Sequence, residues 1–335
     1  MNKFLCGAIS AAVLFGALFT AGASAPAKAE AAASKAECVA EVSSRRILHS
    51  YRADERLPMA STTKVLTAII IIEDCDLSET VVIPSEAAGV EGSSVYLKAG
   101  DAYTVEELLY GLMLRSGNDA AVTLAIHHSG SMQAFAQEMT RRAAFLGAAD
   151  SAFANPHGLP AKGHYTTARD LALIAAHAME NETFHTIVST KYYAPRGWAN
   201  KNKMLTRYEG ASGIKTGFTT EAGRCLVTGA ERDGMTVVSV VLNCPSMYER
   251  SEELLNGAFA DYSMTQLCSR TETIEGCGVL YDFSYPLTEA ERAEVSREIV
   301  WNEPLPVCSG EIAGQMRILL DNRLLFSQNL YMMER

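Results

Sequence analysis

The sequence predicts an α+β protein in which strands at both ends enclose a helical middle, followed by a small all-β domain. Three observations carry this. The stretch "AECVAEVSSRRILHSYRADERL" has the broken apolar alternation of two short strands joined by a turn. Capped runs with helical apolar spacing recur between Ser61 and Met179. From Gly213 the chain becomes β-branched in "GIKTGF", "RCLVTGAE" and "MTVVSVVLNC", and Arg232-Asp233-Gly234 joins the last two with a tight-turn Asp-Gly. A chain of 335 residues that is 48% hydrophobic is long enough for one large domain and a smaller one.

Taken in order, the chain begins with Lys3 and the apolar run "FLCGAISAAVLFGALFTAGASA", followed by small residues, which reads as an export signal. Cleavage is expected after Ala29 in preference to Ala25, because Pro26 follows the latter; residues 1–29 are then the signal peptide, and an uncleaved anchor is the competing reading. The hairpin comes next, then an apolar helix after Ser61. Thr104 and Glu107 open the following helix as a capping box, and Ser116-Gly117-Asn118 interrupts it as a polar helix-to-helix turn. Further helices run from Ser131 to Leu146, closed by Gly147, and from Thr167 to about Met179, where Thr167 and Asp170 form a second box. A helix through "YERSEELLNGAFADYS" closes the main domain near Ser263, giving domains of residues 30–263 and 264–335. The second is built from short strands, the last of them folded at Asp321-Asn322. No terminal amphipathic helix is expected, so membrane association follows only if the signal segment stays uncleaved.

The net charge of −10 becomes −12 once Lys3 and Lys28 leave with the signal, which argues against nucleic acid and anionic lipid as partners. Seven of the eight cysteines remain, an odd number. Buried free thiols are favoured over a Cys225–Cys244 bridge, and no CxxC pair suggests a metal. His157 and His164 read as loop and cap residues, and His127-His128 as a favourable helix end. No cofactor is called for.

The chemistry centres on "MASTTKVLTAIIIIE". A lysine entering a buried helix loses hydration, so Lys64 needs a reason to be there. Ser61 and Lys64, at i and i+3, share a face, and a lysine made neutral by burial and a neighbouring cation can take a serine proton. Short motifs also occur by accident, as Ser212-Gly213-Ile214-Lys215 and Ser327-Gln328-Asn329 show, and Ser61 alone could be a plain helix cap. The ordered set is far more specific: Ser61-Thr62-Thr63-Lys64, then Ser116-Gly117-Asn118, then Lys215-Thr216-Gly217.

That trio, with "GSSVYLKAGD", "FANPHGLPAKGHYTTARDLA" and "GASGIKTGFTTEAGRCLVTGAERDGM", resembles the D-alanyl-D-alanine carboxypeptidases, the low-molecular-mass penicillin-binding serine peptidases, from about Cys38 to Tyr262. The resemblance implies a β-lactamase/transpeptidase-like domain, an antiparallel sheet flanked by helices plus a helical subdomain. It implies Ser61 as acylated nucleophile, Lys64 as general base and Ser116 as proton relay. Asn118 would orient the lysine and hold a substrate amide, and Lys215 with Thr216 would receive the terminal carboxylate. Gly217 would let substrate lie along the strand, and the N–H groups of Ser61 and Phe218 would form the oxyanion hole. Peptidoglycan stem peptides are the implied substrate and β-lactams the implied covalent inhibitors, outside the cytoplasm. Departures are Arg224 where an aromatic is more usual, Thr140 in place of asparagine, and Ser43-Ser44-Arg45 without a turn glycine. They bear on specificity, not on the three motifs.

Two other functions compete. A β-lactamase needs a carboxylate for its deacylating water, and no Glu-x-x-Leu-Asn type segment lies between the second and third motifs. A penicillin-binding sensor or cell-wall scaffold would acylate but turn over poorly.

Overall fold

The computed structural model describes residues 34–306 and 308–334; the expected signal peptide of residues 1–29 lies outside them. Strands β1 (Ala36–Glu41) and β2 (Ile47–Tyr51) form the expected hairpin, with Arg45 in the left-handed conformation (φ 59°) at the turn that lacks a glycine. Helix α1 (Lys64–Asp74) follows, then a small pair of strands, β3 (Thr80–Val82) and β4 (Ala102–Thr104). Helices α2 (Val105–Leu114), α3 (Asn118–Ser129), α4 (Met132–Phe145), α5 (Ala168–Met179) and α6 (Glu182–Ser189) make up the middle. The Thr104/Glu107 capping box forms in full. The second box forms by half: Thr167 accepts from the Asp170 N–H, but the shorter Asp170 side chain turns to the Ser151 hydroxyl at 2.7 Å.

After the short β5 (Tyr192–Tyr193), β6 (Trp198–Ala199) and α7 (Met204–Arg207), the chain returns to the sheet as β7 (Lys215–Thr219), β8 (Gly223–Arg232) and β9 (Met235–Leu242). The order is β2-β1-β9-β8-β7, antiparallel throughout, so the N-terminal hairpin docks on the last strand made and β7 is left at an edge. Asp233 and Gly234, both at positive φ, make the tight β8–β9 turn. The sheet is covered on both faces. Cys225, Val227, Val238 and Val240 pack with α1 and α5, while Leu226, Val237 and Val241 pack with α8 (Met247–Asp261). Two-sided burial explains why "MTVVSVVLNC" is apolar without alternation. It also puts Cys225 and Cys244 in different clusters, and all seven described cysteines are free thiols.

The small domain comprises β10 (Ser263–Cys268), β11 (Thr273–Ile274), β12 (Cys277–Gly278), β13 (Phe283–Leu287), the one-turn α9 (Glu289–Arg292), β14 (Val295–Trp301), β15 (Ile312–Leu320) and β16 (Arg323–Met332). Asp321 and Asn322, at φ 48° and 61°, fold β15 onto β16 as expected. Strand β10 was not foreseen; it leaves α8 without a loop and pairs with β13. Arg46 ties this domain to the larger one: its guanidinium donates to the Pro286 carbonyl and Glu291, and lies 5.1 Å from both the Tyr262 and Tyr285 rings.

Candidate active site

The nucleophile motif is built on a turn tighter than expected. Ala60–Thr63 form a 3₁₀ turn and α1 begins only at Lys64, so Ser61 is not a helix N-cap and its hydroxyl makes no capping bond. In a 3₁₀ turn residues i and i+3 eclipse, which aligns Ser61 with Lys64 better than a helix start would. The turn is locked from several sides. Thr62 and Thr63 donate their hydroxyls to the Met59 and Ala60 carbonyls at 2.6 and 2.8 Å. Ala60 sits in the left-handed region at φ 49°, a strained conformation for a residue with a Cβ. Gly158 packs so close that a Cβ there would come within 1.9 Å of the Ala60 oxygen.

Lys64 is completely buried, and its Nζ has three neighbours: Ser61 Oγ at 2.9 Å, Asn118 Oδ1 at 2.7 Å and the His157 carbonyl at 2.6 Å. Burial pushes this amine well below the ordinary lysine range, and the charges of Lys215 and Lys201 push it further. A neutral amine has two N–H donors and one lone pair. The two carbonyl oxygens take the donors, and the lone pair is left for the Ser61 hydroxyl.

The second motif sits in the α2–α3 turn, with Ser116 at φ 64° and 5% exposed. Asn118 donates its Nδ2 to the Glu91 carbonyl at 2.6 Å, so its oxygen can only face Lys64. Buried Asp119 accepts from the Val95 and Leu97 N–H groups and the Ser94 hydroxyl, tying the "GSSVYLK" loop to the same turn. The third motif lies on edge strand β7. Gly217 lies against the nucleophile turn: a Cβ there would meet Met59 O at 3.0 Å and Ser61 N at 3.2 Å. Lys215 is 2% exposed and donates to the Thr216 carbonyl; burial and then Lys201 lower its amine to about 7. Phe218 is 65% exposed at the outer end.

The structure thus joins Ser61, Lys64 and Asn118 by direct contact and sets Gly217 against Ser61, with the charge of Lys215 acting on Lys64. Of the accidental motifs, Ser212 precedes β7 and Ser327 lies on β16 in the small domain. The sequence reading missed three contributors. His157 acts through its carbonyl, which carries no sequence signal; Lys201 and Asp119 are brought in by folding. His157 and His164 are held neutral, at about 3 and about 4, by burial and by Lys64, and His164 braces the nucleophile turn through Thr63 at 2.9 Å.

Residues 22–246 match the family model described as D-alanyl-D-alanine carboxypeptidase, two thirds of the chain. The chain belongs to this family. It is 32% identical over 255 residues to the D-alanyl-D-alanine carboxypeptidase DacF of Bacillus subtilis, across 72% of this chain and 66% of that protein. It is 35% identical to the D-alanyl-D-alanine carboxypeptidase of Streptomyces sp. K15, across 64% and 82%. The crystal structure of penicillin binding protein 5 from Haemophilus influenzae superposes with a TM-score of 0.75 at 26% identity, covering 90% of this chain and 97% of that one. That coverage extends the likeness into the small β domain. As a member of the D-alanyl-D-alanine carboxypeptidase family the protein is a serine peptidase of the cell wall. Members of the family act on peptidoglycan outside the cytoplasm; among the described residues no helix is long and apolar enough to cross a membrane.

Proposed function

We propose that the protein removes the terminal D-alanine of peptidoglycan stem peptides through an acyl-enzyme on Ser61. The observation that carries this is the contact of the fully buried Lys64 Nζ with Ser61 Oγ at 2.9 Å, beside two carbonyl oxygens that can take its N–H groups and leave a lone pair for the hydroxyl when the amine is neutral. The Ser61 proton passes to Lys64 Nζ as Oγ bonds to the carbonyl carbon of the penultimate D-alanine. The oxyanion forms under the N–H groups of Ser61 and Phe218, which act on charge that develops only in the tetrahedral state. The proton then travels through Ser116 to the leaving amine, the C–N bond breaks and D-alanine departs. Lys215, protonated when an anion arrives, and Thr216 hold its carboxylate; Asn118 holds the lysine and a substrate amide. Water, deprotonated by Lys64, cleaves the ester. β-Lactams acylate the same serine, and the reaction takes place outside the cytoplasm after loss of residues 1–29. In this reading residues 30–263 carry the chemistry and 264–335 form the small domain.

Labelling with a fluorescent penicillin and steady-state release of D-alanine from an acyl-D-Ala-D-Ala peptide test it together. Ser61→Ala is expected to lose both. A label retained by that variant removes Ser61 as nucleophile, and a single burst of D-alanine from the unaltered protein points to a sensor instead.

A further inference from the structure

The nucleophile turn is gripped at an atom that takes no part in the reaction, the carbonyl oxygen of Ala60. The Thr63 hydroxyl donates to it at 2.8 Å. Thr63 is wholly buried, and its oxygen also meets His164 Nε2 at 2.9 Å. Two independent constraints fix the direction of that second bond. The single Thr63 hydroxyl proton is committed to Ala60, so toward the ring the oxygen can only accept. His164 Nδ1 accepts from the Ala154 N–H at 3.1 Å, so the neutral ring carries its proton on Nε2. His164 therefore donates to Thr63 and Thr63 to the Ala60 oxygen, a relay that reaches the turn from 101 positions away.

What this oxygen controls follows from covalent geometry. Ala60 C=O and Ser61 N–H belong to one trans peptide unit, planar, with the two bonds pointing in opposite directions. Fixing the oxygen thus fixes the N–H. Of this unit, a Cβ at Gly158 would come nearest the oxygen, at 1.9 Å, and a Cβ at Gly217 nearest the nitrogen, at 3.2 Å, so the N–H end lies toward β7. Ala60 sits at φ 49°, a conformation that a residue with a Cβ keeps only when its surroundings impose it. A hydrogen bond to the carbonyl also polarises the N–H at the other end of the unit. We propose that Thr63, backed by His164, is a positioning residue that aims the Ser61 N–H at the oxyanion. The inference rests on the acyl-enzyme chemistry proposed above.

Difference infrared spectra of the acyl-enzyme, formed with a penicillin isotope-labelled at the β-lactam carbonyl, read the alignment directly, because donors aimed at the ester oxygen lower its C=O stretching frequency. Thr63→Val keeps the side-chain shape and removes the hydroxyl. Its stretch should move to higher frequency, and kcat for D-alanine release should fall about 30-fold with KM little changed, short of the 10²- to 10³-fold of losing an oxyanion donor outright. Thr63→Ser restores the hydroxyl and should recover both the frequency and the rate. His164→Phe keeps a ring against Phe153 and removes the donor to Thr63; it should shift the stretch the same way by less, and adding it to Thr63→Val should lose no further rate. An unshifted stretch in Thr63→Val or, should that variant not fold, in His164→Phe overturns the inference whatever the rate does, and leaves the hydrolysis intact. Absence of a penicillin adduct on Ser61 of the unaltered protein overturns both.

Discussion

Glu37 on β1 and Lys64 at the start of α1 are both almost wholly buried ionisable side chains, and their surroundings treat them oppositely. Burial alone raises the Glu37 carboxyl, but Arg250 at 2.7 Å, His49 and Ser34 outweigh it and hold the group down at about 2. Around Lys64 burial and two further lysines act in the same direction, and its hydrogen-bond partners are carbonyls and a hydroxyl. Glu37 is therefore a charge kept charged, joining β1 to α8. Lys64 is a charge discouraged, and its basicity is available for chemistry. Burial does not decide what an ionisable group does; the sign of its neighbours does.

The largest effect expected is on the reactive side. Lys64→Ala should slow acylation by a labelled penicillin about 10³-fold, the middle of the range for a general base. A rate within tenfold of the unaltered protein would remove Lys64 from the reaction.

On the structural side, Arg250→Ala strands the Glu37 carboxylate and should cost about 3 kcal/mol in urea unfolding. Because the folded Glu37 carboxyl is depressed from 4.5 to about 2, the stability it contributes is complete above pH 4.5 and lost as pH falls toward about 2. Arg250→Ala should lack that loss; an unaltered acid transition in the variant would show that the pair is not what holds Glu37 ionised.

Gly217→Ala adds a Cβ 3.0 Å from the Met59 carbonyl and 3.2 Å from Ser61 N, spreading β7 from the nucleophile turn by a few tenths of an ångström. Loosening the oxyanion donors in this way should lower kcat about tenfold, below the 10²- to 10³-fold of losing a donor outright. No change in kcat would mean that contact between β7 and the turn is not limiting.

The smallest effect concerns Lys201. Burial and then the Lys201 charge set the free Lys215 amine at about 7, so kcat/KM for a peptide with a free terminal carboxylate should fall above about pH 7, as Lys215 loses its proton. Lys201→Gln should move that limb to higher pH. A limb that stays in place assigns it to another group, since coupled amines titrate as a set.

Much of this was legible in the sequence, for reasons that are local. The Thr104 box, the Asp233-Gly234 and Asp321-Asn322 turns and the polar break at Ser116 are short-range features, and each forms as the residues dictate. The three motifs were legible because reacting groups must keep their identity and order. What could not be read depends on distant packing. Gly158 packs closely on Ala60 of the 3₁₀ nucleophile turn, and the carbonyl of His157 reaches Lys64 from a loop 93 positions away. The lowering of Lys215 comes first from its burial and then from the charge of Lys201, 14 positions earlier in the chain. Strand β10 was hidden because "SMTQLC" has little apolar alternation and is recruited by β13.

Lys64 is expected to be an uncharged amine at neutral pH. Isotope labelling of the lysine side chains, with the Lys64 resonance assigned by its absence in Lys64→Ala, allows that amine to be titrated directly by NMR. A shift characteristic of a neutral amine at pH 7, with titration far below the ordinary 10.5, is the predicted result. An amine still protonated at pH 9 would contradict it.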